Sequence, residues 1–194
     1  MELLLRMLAL PFDYRETPPA LRTAPAFLAM NPLSQVPVLQ DGDAVIPDSA
    51  AILVYLARRY DPGGPWLPEA AGPSAAVQRW LSIAAGELWH GPGTARALAI
   101  WRVPHGADPM RARTIAGRLL AFMDGHLAAR PFLAAGHPTV ADLACYAYAA
   151  HAPEGGVALD PYPPCAPGWA GWRRCRASCS WRAPPCRRRS VNLA

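Results

Sequence analysis

Lysine is absent from this chain: all 19 basic residues are arginine. With abundant Ala, Pro and Gly, that points to a GC-rich coding sequence and carries no functional weight. Acidic residues are absent after Asp160. Residues 1–160 hold 12 Arg against 14 acids, a net of −2, whereas residues 161–194 hold 7 Arg and no acid. The net charge of +5 is therefore a property of the tail. A nucleic-acid reading, with Arg187-Arg188-Arg189 as its best case, rests on that tail alone. No apolar run is long enough to span a bilayer. Internal repeats are absent. His105, His126, His137 and His151 show no metal-ligand spacing. The tail cysteines, Cys165, Cys175, Cys179 and Cys186, have no paired C-x-x-C and no histidine beside them, so the zinc signal is poor and no metal is expected.

What is present is a globular composition. The 194 residues are 52% hydrophobic and 17% charged, enough for one large domain or two small ones around a buried core. Met1–Leu10 is apolar, but Glu2 and Arg6 interrupt it and no small-residue cleavage site follows, so it reads as a helix and not as a signal peptide. The chain reads as cytoplasmic, with reduced thiols. Cys145 reads as a small buried hydrophobe.

Along the chain, Leu3, Leu4, Leu8 and Leu10 suit a buried helix that ends before Pro11. Phe12–Glu16 alternates apolar and polar, as a strand does, and Thr17–Thr23 reads as a loop. Pro25–Met30 reads as a turn or two of helix. Val36–Gln40 and Ala44–Ile46 read as strands joined at Asp41-Gly42-Asp43, a hairpin signal. Asp48–Tyr60 places Ile52, Leu53, Leu56 and Tyr60 at helical spacing. The pattern then changes. Residues 63–73 form a linker, followed by helical segments over Ser74–Ile100, irregular at Gly91-Pro92-Gly93, and over Pro109–Arg130. A further helix opens at Thr139, where Thr139-Val140-Ala141-Asp142 fits a capping box. Residues 1–62 thus form a small α/β unit and residues 74–162 an all-helical unit.

The segment Asn31-Pro32-Leu33-Ser34-Gln35-Val36-Pro37-Val38-Leu39, followed by Pro47-Asp48-Ser49-Ala50-Ala51-Ile52, combines two features. Pro37 stands at the mouth of a strand, where it cannot donate a ladder hydrogen bond. Asp48-Ser49 puts polar side chains and free N–H groups at a helix start, where a carboxylate ligand binds well. Taken singly, each has a plain alternative, a turn at Pro37 and an N-cap at Asp48 or Ser49. Together they resemble the glutathione-binding half of the glutathione S-transferase family, in its bacterial type, over residues 1–163. The capping box ahead of Leu143-Ala144-Cys145-Tyr146 is a second match, and its role in the family is folding.

That resemblance implies a thioredoxin-like N-terminal domain, here without its first strand, followed by an all-α C-terminal domain. It implies glutathione as co-substrate, a small hydrophobic electrophile, detoxification chemistry and a homodimer. A cis Val36-Pro37 bond would turn the Val36 N–H and C=O outward to pair with the cysteinyl backbone of glutathione. Ser49 would hold the γ-glutamyl carboxylate, Asp48 would face the amino group, and Gln35 would add a contact. Trp89 and His90 would lie toward the electrophile pocket, although each also reads as an ordinary surface or core residue. The competing class is a non-catalytic module that uses the same fold for protein contacts.

Two ends depart from the family. The loop carrying the thiol-activating Tyr, Ser or Cys should precede the first helix. Met1–Arg6 reads as the middle of that helix, so the catalytic residue is expected upstream of Met1, with a GTG valine codon read as the start. Tyr14 lies past the helix and does not take its place. Residues 163–194 are expected to be an aberrant, disordered tail. Restoring one G near Pro164 converts Tyr-Pro-Pro-Cys-Ala into Tyr-Pro-Ala-Val-Arg and continues into an amphipathic helix. That reading, a frameshift, stands beside the zinc and basic-tail alternatives.

Overall fold

The computed structural model describes residues 1–101, 106–162 and 191–193. The tail cysteines, the arginine run, the frameshift position near Pro164 and His105 all lie outside the described residues. Within them the chain divides into two compact units. One comprises Met1–Gly64 with the C-terminal strand, and the other begins at Pro65.

The first unit runs α1 (Glu2–Met7), β1 (Phe12–Tyr14), α2 (Pro19–Arg22), α3 (Pro25–Met30), β2 (Val38–Asp41), β3 (Ala44–Pro47) and α4 (Ser49–Tyr60). The loop expected over Thr17–Thr23 contains α2, a single turn started by Pro19, whose fixed φ suits a first helical position. β2 and β3 pair antiparallel around the expected turn, where Gly42 has a φ of +58°. Leu4 and Leu5 of α1, Leu39 of β2, and Ile52 and Leu56 of α4 are each fully buried. Fully burying one such side chain contributes about 1.5–3 kcal/mol. They make the apolar floor that carries the β2–β3 hairpin and the start of α4.

The sheet has four strands in the order β1-β4-β2-β3, with β4 formed by Val191–Leu193. β4 is parallel to β1 and antiparallel to β2. The expectation of a disordered segment over residues 163–194 does not hold for these three residues. Their backbone fills the place between two strands that do not pair with each other. A composition rich in Pro and Arg gives no warning of so short a strand, because what orders it is the pair of open edges on either side.

The second unit contains α5 (Ala71–Ile83), a π-helical segment (Ala84–Gly93), α6 (Thr94–Trp101), α7 (Pro109–Leu127), α8 (Val140–Ala149) and a 3₁₀ turn (Ala152–Gly155). α5 begins inside the stretch read as linker, because Pro73 falls in its first turn, where no N–H is required. The irregularity expected at Gly91-Pro92-Gly93 is a π-helical register that absorbs Pro92 without ending the helix. Two close approaches require glycine here. A Cβ on Gly91 would stand 2.9 Å from the Ala116 backbone nitrogen of α7, and one on Gly155 would stand 2.5 Å from that of Arg96 in α6. Gly155→Ala should therefore lower the stability of this unit by about 1–3 kcal/mol, read as a shifted urea midpoint. An unshifted midpoint would mean that the turn can move away from α6.

Candidate functional site

The geometry of the site starts with a buried asparagine. Asn31 is 4% exposed and closes the loop that enters β2. Its Oδ1 accepts from Leu33 N–H at 3.1 Å, and its Nδ2 donates to the Gln35 carbonyl at 2.7 Å. Ser34, with a φ of +58°, donates its hydroxyl to the Arg22 carbonyl at 3.0 Å. These two residues hold the approach to Val36, and the sequence reading did not single them out. An Asn ahead of Pro32 was the available signal, since Asn side chains close turns on their own backbone.

The Val36-Pro37 peptide bond is cis. Val36 and Gln35 are exposed. Among the described residues, nothing in the chain pairs with the Val36 N–H or C=O. An extended ligand backbone could take both.

The second half of the candidate site is the start of α4. Asp48 is its N-cap: Oδ1 accepts from Ala50 N–H at 2.8 Å and from Ala51 N–H at 3.0 Å. Asp48 has a φ of +76°, outside the usual range for a side-chain-bearing residue. Ser49 is the first helical residue, half-buried, and among the described residues neither its N–H nor its hydroxyl has an intrachain partner. A free donor pair at the positive end of a 12-residue helix suits a carboxylate.

The hairpin brings these two halves together. Val38 pairs with Pro47. Pro37 directly precedes β2 and Asp48 directly follows β3, so both flank that first pair of the hairpin. Gln35, Val36, Pro37, Asp48 and Ser49 therefore gather at one end of the β2–β3 hairpin. The other end is tied to α4 by Asp41, whose Oδ2 accepts from the Tyr55 hydroxyl at 3.0 Å and the Tyr60 hydroxyl at 2.6 Å. Burial, and then the Asp41 carboxylate, push Tyr60 up to about 12 and Tyr55 upward. Both phenols keep their protons at neutral pH and serve as braces.

Trp89 and His90 belong to the second unit and lie on the π-helical segment, both exposed. Trp89 packs edge-on against Tyr148 of α8, centroids 6.2 Å apart, and its carbonyl accepts from the Thr94 hydroxyl. Trp80 is buried at 1% exposure against Phe122 and His126 and is core. Cys145 is fully buried, its thiol donating to the Trp80 carbonyl, and burial pushes that thiol well above its usual range. It is inert packing.

The capping box is present. The Asp142 carboxylate accepts from Thr139 N–H at 2.9 Å and from the Thr139 hydroxyl at 3.0 Å. Its other oxygen accepts from Leu133 N–H at 2.9 Å, a third bond not anticipated from sequence.

Comparison with known proteins follows the same outline. The family model for the glutathione S-transferase N-terminal domain matches residues 1–66. The chain is 44% identical over 57 residues to glutathione S-transferase theta-1 of Bos taurus, covering 29% of this chain and 24% of that protein. It is 33% identical over 131 residues to glutathione S-transferase theta-2B of Homo sapiens, covering 60% and 50%. The chain thus spans between a quarter and a half of these relatives' length. A solved glutathione S-transferase from Xanthobacter autotrophicus superposes with a TM-score of 0.79 at 29% identity, covering 89% of this chain and 84% of that one.

Proposed function

We propose, from the premise that this chain belongs to the glutathione S-transferase family, that it binds glutathione at the open end of the β2–β3 hairpin. The tripeptide lies along Val36 as an added strand, its cysteinyl backbone taking the free N–H and C=O. Its γ-glutamyl carboxylate meets the Ser49 N–H and hydroxyl. Its amino group faces the Asp48 oxygen not spent on capping. Gln35 flanks the same end. One observation carries this reading: the cis Val36-Pro37 peptide, unpaired within the described residues, enters β2 at the same end of the hairpin from which β3 leads into the start of α4. Neither half alone would select a molecule with both a peptide middle and a zwitterionic end.

The reaction that fits is attack of glutathione thiolate on a small hydrophobic electrophile, or a related isomerisation or reduction. We assign Trp89 and His90 to the electrophile side, and cytoplasmic location, detoxification and a homodimer to the same reading. No residue of the chain is assigned the thiol-activating role. Binding and chemistry are therefore separate readouts.

The test is retention on glutathione resin with elution by free glutathione, followed by a conjugation assay with a small aryl halide. Retention with conjugation supports the whole reading. Retention without conjugation supports a glutathione-binding module that does no chemistry. Failure to bind at millimolar glutathione, with the fold intact, would sink the site.

A further inference from the structure

The helical unit carries an open pocket of about 420 Å³, lined by α5, the C-terminal end of α7 and residues 131–136. Trp80 and Leu133, both buried, make its floor, and half-buried Phe132 adds an apolar wall. Hydrogen bonds fix that floor. The Leu133 carbonyl accepts from His126 Nε2 at 2.8 Å, and the Leu133 N–H donates to Asp142 at 2.9 Å. Two exposed arginines, Arg79 and Arg130, complete the lining. Arg79 lies over the Trp80 and Phe122 rings, 6.0 and 5.6 Å from their centroids, which positions its guanidinium without spending its N–H groups. Arg130 spends one N–H on the His126 carbonyl at 3.3 Å. Among the described residues neither guanidinium meets a carboxylate, and no acid lines the pocket.

We propose that this pocket binds a small phosphate monoester of an aromatic alcohol. Two guanidiniums without a counter-charge call for a dianion, and a phosphate monoester carries about −1.5 to −2 charges near neutral pH. The guanidinium fork matches its oxygens in pairs, as it would not match a point charge. A monocarboxylate would leave one guanidinium uncompensated. Inorganic phosphate would leave the wall of Phe132 and the floor below it in water, so the ligand needs a flat apolar body as well as a charged head. A pocket of this volume holds both. Residues 161–194 are no rival occupant, since they carry seven Arg and no acid. The inference does not depend on the glutathione reading, because none of the pocket residues belongs to that site.

The experiment is isothermal titration of the full chain with 1-naphthyl phosphate, beside 1-naphthoate and inorganic phosphate. The naphthyl phosphate should bind with a dissociation constant of about 1 mM or tighter, the range open to a ligand of this size. The other two should bind at least about 10-fold more weakly, one lacking a charge and the other the apolar body. Arg79→Gln and Arg130→Gln each remove one charge from an exposed position. Each should weaken naphthyl phosphate at least about 10-fold, with the circular dichroism spectrum unchanged. Absence of binding at about 10 mM overturns the proposal. Naphthoate binding as tightly as naphthyl phosphate overturns it, because the pocket would not select a dianion. An affinity for naphthyl phosphate unchanged in both variants overturns it as well, because the ligand would then lie elsewhere on the chain.

Discussion

Asp142→Ala should lower the unfolding free energy of the helical unit by about 3–5 kcal/mol, because it strands three buried donors whose desolvation costs about 1–3 kcal/mol each, partly recovered by entering water. Asp142 is 3% exposed and Thr139 is fully buried. The carboxylate is the shared acceptor for Leu133 N–H, Thr139 N–H and the Thr139 hydroxyl. Among the described residues these three donors have no other acceptor. The check is a urea titration followed by far-UV circular dichroism. A loss below about 1 kcal/mol, the range of an exposed cap, would mean that water reaches the box.

The same carboxylate predicts a pH dependence. Burial pushes the Asp142 carboxyl above its ordinary 3.8, and the hydrogen bonds from Leu133 and Thr139 only partly offset this. A carboxyl raised in the folded state binds protons more readily there than in the unfolded chain. Its contribution is fully present below the unfolded value and is lost as pH rises through the folded one. Relative to Asp142→Asn, which does not titrate, the unsubstituted chain should therefore gain stability as the pH falls toward 4. A gap that widens in the opposite direction would show that the three donors outweigh burial.

The second large effect is on glutathione affinity. Asp48→Asn should keep α4 capped, since Asn and Asp cap equally well, and stability should change by less than about 0.5 kcal/mol. It removes the charge offered to the ligand's amino group. Loss of a charge-assisted hydrogen bond, about 1.5–3 kcal/mol, should weaken binding at least about 10-fold. Ser49→Ala removes a hydroxyl that caps nothing in the chain. It should weaken binding several-fold, and the pair together by about 100-fold. Isothermal titration with glutathione decides it. Unchanged dissociation constants in both single variants would remove Asp48 and Ser49 from the site. Asp48→Ala is the less informative change, since it loses the cap and also places alanine at a φ of +76°.

Some of this was written in short-range chemistry. Thr139 and Asp142 lie three residues apart, so their reciprocal bonds follow from one helical turn. Asp41-Gly42-Asp43 makes the hairpin turn because Gly42 takes a positive φ without cost. Ile52, Leu53 and Leu56 fall on one face of α4 at helical spacing, and that face is buried. From those elements the two-part architecture and the placing of Val36-Pro37 and Asp48-Ser49 at the same end of the hairpin could be anticipated. The second depends on hairpin register, which turn length dictates locally.

The remainder required the folded chain. The Leu133 bond to Asp142, the Asn31 staple under the entrance to β2 and the clasp of Asp41 by Tyr55 and Tyr60 join groups whose partnership no pattern announces. The π register of Ala84–Gly93 answers to Gly91 packing on Ala116, a contact across 25 sequence positions. β4 is the extreme case. Val-Asn-Leu at the end of an arginine-rich tail has no strand signal of its own. It is a strand because β1 and β2 stand two spacings apart with open backbones. Sequence by itself determined the elements whose hydrogen bonds close within a turn or a hairpin. Tertiary structure alone decided what satisfies groups left open at longer range, because an unpaired backbone edge must be paired by whichever segment can reach it.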